Sequence, residues 1–103
     1  MITEMRSDSP DLREVRRIVL RGLAGRRAQV YLFGSWARGE ASRVSDIDVA
    51  ILSEESLPSG LLPEIQEALD ESASLYPVDL VDLSATSDAF RSRVLAEGMP
   101  WTD

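Results

Sequence analysis

LFGSWARGEASRVSDIDVAIL, residues 32–52, decides how this chain folds. It begins as the tail of a short run of β-formers, Val30-Tyr31-Leu32-Phe33, and ends as a second such run, Ile47 to Leu52. Both runs are short and rich in β-formers, and the first ends at Gly34. Each therefore reads as a strand, one over Gln29–Phe33 and one over Ile47–Leu52. Between them Gly34 ends the first strand, Ser35 is placed to cap a short helical turn, and Gly39 to Ser45 supply loop chemistry. A link this short suits antiparallel neighbours.

Toward the N-terminus, Ser9 and Pro10 read as an N-cap and a first helical residue. Leu12, Val15, Val19 and Leu23 then recur at helical spacing until Gly22 and Gly25 interrupt the pattern. The other face of this helix carries Arg13, Arg16, Arg17 and Arg21, read as a solvated face without a function. Toward the C-terminus, Ser53 to Ser59 form a polar connection. Leu61, Leu62, Ile65, Ala68 and Leu69 make one apolar helical stripe, with Pro63 in its first turn. Leu75 to Leu83 read as a third strand. Ser87 opens a last helix populated by Phe90, Val94 and Leu95 that stops near Gly98.

The order helix, strand, short helix, strand, helix, strand, helix predicts the α/β class, with helices flanking a small mixed three-stranded sheet. The helix after the second strand is long enough to be a crossover, which makes the second and third strands parallel.

At 103 residues the chain reads as a single domain, 1–103, because one core of this size buries roughly two thirds of the unfolded surface. It contains neither cysteine nor histidine. Disulfides, zinc–thiolate sites, thiol nucleophiles and Ser-His-Asp triads are thereby excluded, and chemistry must run on carboxylates and hydroxyls. Eighteen acidic side chains oppose eleven basic ones, all arginine, for a formal charge of −7. Such a field repels polyanions, so no nucleic-acid partner is expected. No apolar run approaches the roughly 18 residues that span a bilayer, and the N-terminal stretch lacks the apolar centre of a secretion signal. The expectation is a cytoplasmic protein without membrane contact.

The chemistry concentrates at Gly34-Ser35, followed after ten residues by Asp46-Ile47-Asp48. Antiparallel pairing brings the end of the first strand beside the start of the second. Side chains alternate along a strand, so Asp46 and Asp48 share one face while Ile47, Val49 and Ile51 point into the core. Two carboxylates on one face suit a pair of magnesium ions, which take hard oxygen ligands and serve phosphoryl transfer. Gly34 lets backbone approach a phosphate, and Ser35 offers a hydroxyl and an amide to an anion. A third carboxylate should enter from the parallel neighbour. Asp79 and Asp82 lie three residues apart and face opposite sides, so only one can join. Asp79 is assigned, because it sits at the strand's entry end like Asp46 and Asp48. Four fixed residues of this kind coincide by accident on the order of once in 10⁵ placements, which favours a chemical reading over a solvated loop. Trp36 is read as shielding the edge of the core.

These residues resemble the polymerase-beta-like nucleotidyltransferase superfamily, and within it the minimal, MNT-type members. The specific match is residues 32–52, with YPVDLVDL, residues 76–83, as a weaker match for the third carboxylate and FRSRVLAEG, residues 90–98, as a loose match for the closing helix. The resemblance implies a mixed sheet, Gly34 and Ser35 on the triphosphate, Asp46 and Asp48 on both magnesium ions, and Asp79 as remaining metal ligand and acceptor base. It implies Arg38 as a phosphate contact. It further implies ATP as substrate and a HEPN-domain ribonuclease toxin as partner, with the chain acting as antitoxin by transferring AMP to a tyrosine hydroxyl.

Two other functions compete with that expectation. An antitoxin of this fold that silences its partner by occlusion alone would keep neutralising after Asp46→Ala or Asp48→Ala. A nucleotidyltransferase acting on a small molecule such as an aminoglycoside would need no second protein. It ranks lower because so short a chain leaves little surface to bury a drug-sized ligand.

Overall fold

The computed structural model describes residues 10–40, 46–72, 74 and 76–101. The expected cap at Ser9, the loop residues 41–45 and the start of the third strand at Leu75 lie outside the described residues.

Helix α1 (Pro10–Gly22) buries Leu12, Val15 and Val19, the positions its helical period aligns on one face. Strand β1 (Ala28–Phe33) and strand β2 (Ile47–Ser53) follow. Helix α2 (Leu61–Asp70) buries Ile65 and Leu69, and strand β3 (Val78–Asp82) follows it. A single 3₁₀ turn, Leu83–Ala85, leads to helix α3 (Asp88–Glu97). Ser87 caps α3 as expected, its hydroxyl accepting from the Phe90 amide at 3.1 Å. The α/β class holds, with helices before, between and after the strands but none described between β1 and β2.

Among the described residues the sheet has four strands rather than three, Met99–Pro100 forming β4, in the order β3-β2-β1-β4. The additional strand, β4 (Met99–Pro100), lies antiparallel to β1, with Leu32 opposite Met99 and Tyr31 opposite Pro100. Two residues carry no alternation that a sequence pattern could register. Proline is admissible there because β4 is an edge strand and needs no outward donor. The Trp101 amide extends the pairing to the Val30 carbonyl at 2.7 Å. Arg16 donates from Nε to the Trp101 carbonyl at 3.0 Å, so one arginine of the helix face taken as merely solvated anchors this strand's end.

A second correction concerns residues 34–39, which form a succession of turns and not a short helix. The Gly34 carbonyl accepts from both the Ala37 and Arg38 amides, at 3.1 and 3.2 Å, and the Ser35 carbonyl accepts from Glu40 at 2.8 Å.

β1 and β2 pair antiparallel, and β2 and β3 pair parallel, both as expected from the connections. One sheet face, carrying Val30, Leu32, Ile47, Val49, Ile51 and Val78, packs with α1 and α2 to form the main core. At the α1–α2 contact a Cβ on Gly22 would come within 2.6 Å of Ile65 Cγ1, so the close approach depends on that glycine. The opposite face carries Tyr31, Phe33, Ala50, Leu52 and Val81 against α3 and Leu83. That second layer is small, and the sheet end beyond it bears the polar residues.

Candidate active site

Alternation along β2 puts Asp48 on the α3 face of the sheet, opposite the buried Ile47, Val49 and Ile51. Register then assembles the site. Asp48 stands opposite Phe33 on β1 and opposite Asp79 on β3. Asp46 is exposed just before β2 begins, and Asp79 is exposed at the second position of β3. The register agrees with the choice of Asp79 over Asp82 made from its place at the strand's entry. Asp82 lies opposite Ile51, further along the strand, and its carboxylate accepts from the Ser84 amide at 3.0 Å and the Ser84 hydroxyl at 2.7 Å. Asp82 caps the 3₁₀ turn, while Asp79 faces Asp48.

Gly34 closes the site from the β1 side. Its φ of +77° is a left-handed conformation that side chains disfavour. A Cβ built there would collide with Asp48 Oδ2, so the absent side chain leaves room for that carboxylate and for whatever it holds. Ser35 follows in the same turn, and Trp36 is buried with its ring edge-on to Tyr76 at 5.0 Å. Trp36 thus shields the core edge, as expected.

Electrostatics reflect the crowding. Burial, followed by the charges of Asp79 and Asp46, pushes the Asp48 carboxyl above its ordinary value, and the Arg38 guanidinium partly offsets the rise. Arg38 is exposed and pairs through Nε with Glu40 at 3.0 Å. Pairs of this kind exchange readily because water screens them.

Sequence reasoning passed over Gln66. From α2 its side chain donates to the Val78 carbonyl at 2.8 Å and accepts from the Leu80 amide at 3.2 Å. β3 is an edge strand, and Gln66 satisfies its outward backbone groups on either side of Asp79. No sequence period marks such a residue, because its partner strand is brought alongside only by the crossover.

Among the described residues, no group of three or more acidic side chains forms a ready-made metal-holding cluster. Even so, the donor set fits a hard divalent cation. Carboxylates approach from adjacent strands, their mutual repulsion shows in Asp48, and a glycine clears the space beside them. Among the described residues, no helix is long and apolar enough to cross a membrane.

A family model described as polymerase beta, nucleotidyltransferase matches residues 26–100. Over 62 residues the chain is 44% identical to the probable protein adenylyltransferase MntA of Haemophilus influenzae, a match spanning 60% of this chain and 54% of that protein. Over 69 residues it is 39% identical to the protein adenylyltransferase MntA of Shewanella oneidensis, spanning 67% of this chain and 49% of that protein. The chain thus spans about half the length of these curated relatives. Among solved structures it is similar to a chain in the crystal structure of a toxin-antitoxin with AMP-PNP. The TM-score is 0.62 and the identity 31%, with 84% of this chain and 72% of that one covered. With a family match over most of its length and the corresponding mixed sheet, the chain belongs to the polymerase beta nucleotidyltransferase family.

Proposed function

We propose that this chain transfers AMP from ATP to a hydroxyl group, the acceptor being a tyrosine of a HEPN-domain ribonuclease toxin, and so acts as the antitoxin. The observation that carries this reading is the placement of Asp48 opposite Asp79 beside the left-handed turn at Gly34. The relatives named protein adenylyltransferase, and the toxin-antitoxin structure with AMP-PNP, support the choice of nucleotide and acceptor class.

In this reading Asp46, Asp48 and Asp79 hold two magnesium ions, which when bound neutralise the triphosphate and activate the acceptor oxygen. The Gly34-Ser35 turn admits the phosphates close to backbone, and Arg38 contacts them. Asp79 accepts the proton of the acceptor hydroxyl on a carboxylate oxygen as that oxygen attacks the α-phosphorus. The protein's share of catalysis is placement and electrostatics, as phosphoryl transfer requires.

The test incubates the purified chain with magnesium, α-labelled ATP and its co-purified protein partner, followed by mass spectrometry of the partner. An AMP adduct on a tyrosine is the expected result. An unmodified partner that is nonetheless neutralised by both the wild type and Asp48→Asn would replace transfer with occlusion. Transfer to a small hydroxyl compound without any partner would replace the acceptor.

A further inference from the structure

A second feature of the α3 face adjoins the residues assigned above and adds others to them. Between the end of β1 and α3 there is a cavity of about 190 Å³ lined by Phe33, Gly34, Arg38, Phe90, Arg93 and Glu97, among others. Phe33 and Phe90 form one wall, their rings edge-on at 5.8 Å. Two of its lining residues neighbour Asp48, since Phe33 stands opposite it in the ladder and Gly34 lies against its carboxylate, so the cavity adjoins Asp48 on the side away from β3.

We propose that Arg93, together with Arg38, seats the β- and γ-phosphates of the nucleotide and the pyrophosphate that leaves. This inference rests on the nucleotidyl-transfer reading above and adds to it a residue and a direction.

Charge decides the direction. On the β3 flank a polyphosphate would meet the carboxylate of Asp79. On the α3 flank it meets two guanidiniums, Arg38 and Arg93, which offset Glu97 and the Glu40 that pairs with Arg38, so no uncompensated carboxylate repels it there. A guanidinium gives charge-assisted, paired hydrogen bonds to phosphate oxygens. Size agrees with a partial occupant: drug-sized ligands take roughly 300–1,000 Å³, so a space of about 190 Å³ accommodates a phosphate tail and not a whole nucleotide.

In-line displacement then orders the reaction along the sheet. The acceptor oxygen forms its bond to the α-phosphorus from the Asp79 side and gives its proton to Asp79. The bond from that phosphorus to the oxygen bridging to the β-phosphorus breaks on the opposite side. Its electron pair departs with the pyrophosphate toward Arg38 and Arg93. Arg93 is exposed on α3, and so contributes little to the core that its neighbour Val94 enters.

The test measures binding of AMP-PNP and of AMP, each with magnesium, to the full chain by calorimetry, for wild type, Arg93→Ala and Arg93→Lys. Arg93→Ala is expected to weaken AMP-PNP by roughly tenfold to a hundredfold, the loss of a charged hydrogen bond. AMP affinity should stay within about twofold, and Arg93→Lys should recover part of the difference. Equal AMP-PNP affinity in wild type and Arg93→Ala overturns the inference and leaves nucleotidyl transfer standing. An equal loss for both nucleotides also overturns it, since the contact would then not be to the outer phosphates. A wild type that binds neither nucleotide removes the transfer reading itself.

Discussion

Asp48 and Asp79 occupy paired positions in the parallel ladder between β2 and β3, on the face that α3 leaves uncovered at one sheet end. Their backbones are held by the sheet whatever their charge state, so replacing either with asparagine is expected to leave the fold intact. Asp79→Asn is expected to lower AMP transfer by roughly 10²–10⁴-fold, the range for loss of a general base. Asp48→Asn should be at least as damaging. The double variant should be little worse than either alone, because groups that act as a unit are not additive. Single-turnover assays with α-labelled ATP, alongside circular dichroism, check this.

The crowding of Asp48 has a pH signature in metal-free protein. Its folded carboxyl keeps its proton to higher pH than the unfolded chain, whose reference is 3.8. The stability that the neutral form contributes is complete below that reference and is lost as pH rises through the raised folded value. With chelator present, urea curves between about pH 3 and about pH 7 should show the wild type losing stability relative to Asp48→Asn. Parallel profiles for the two proteins would contradict the assignment.

Gly34 and Gly39 share nearly the same backbone, with φ of +77° and +74°, but differ in surroundings. Alanine at either position meets a backbone penalty of about 1–2 kcal/mol. At Gly39 the added Cβ meets nothing within 4 Å, whereas at Gly34 it strikes Asp48 Oδ2. Gly34→Ala should therefore abolish transfer while Gly39→Ala leaves it near wild type at matched folded fraction. The comparison isolates the carboxylate's space from backbone strain.

Gln66→Ala removes two hydrogen bonds that brace the strand around Asp79. At roughly 0.5–1.5 kcal/mol each, the expected destabilisation is about 1–3 kcal/mol. Hydrogen exchange at the Leu80 amide should accelerate ahead of exchange at the centre of β2. Transfer should fall through the rate of the chemical step more than through nucleotide affinity, since Gln66 reaches the site only through Asp79.

Asp82→Ala loses the cap on the 3₁₀ turn and should cost about 1 kcal/mol, measurable in thermal unfolding, with transfer otherwise retained. Loss of activity in Asp82→Ala with Asp79→Asn unimpaired would exchange the roles of the two residues.

Much of this arrangement was legible in the sequence. The β-rich runs ending at Phe33 and Leu52 marked two strands because residues that tolerate burial on a pleated surface are concentrated there. The alternation of Asp46 and Asp48 with Ile47, Val49 and Ile51 gave the carboxylates one face. Connection lengths decided strand directions, since a crossover must carry the chain back over the sheet and a short link cannot. Beyond that reach lay β4, too short to leave a pattern. The turns after Gly34 were equally hidden, because backbone carbonyls cap them and no characteristic side chain does. Arg16, Gln66 and Arg93 each act on a distant backbone or an adjoining cavity, and so carry no local signal.

The sequence by itself determined which residues are available for chemistry and which side of each strand they occupy, because both follow from residue type and a period of two. Position at the strand's entry put Asp79 forward over Asp82, but only the tertiary structure set it opposite Asp48, since that depends on the register of β3 against β2. The same register seats Asp79 and not Asp82 opposite Asp48. Register is a property of strands separated by a whole helix, held by the packing of α2 and the side chain of Gln66, and no local pattern encodes it.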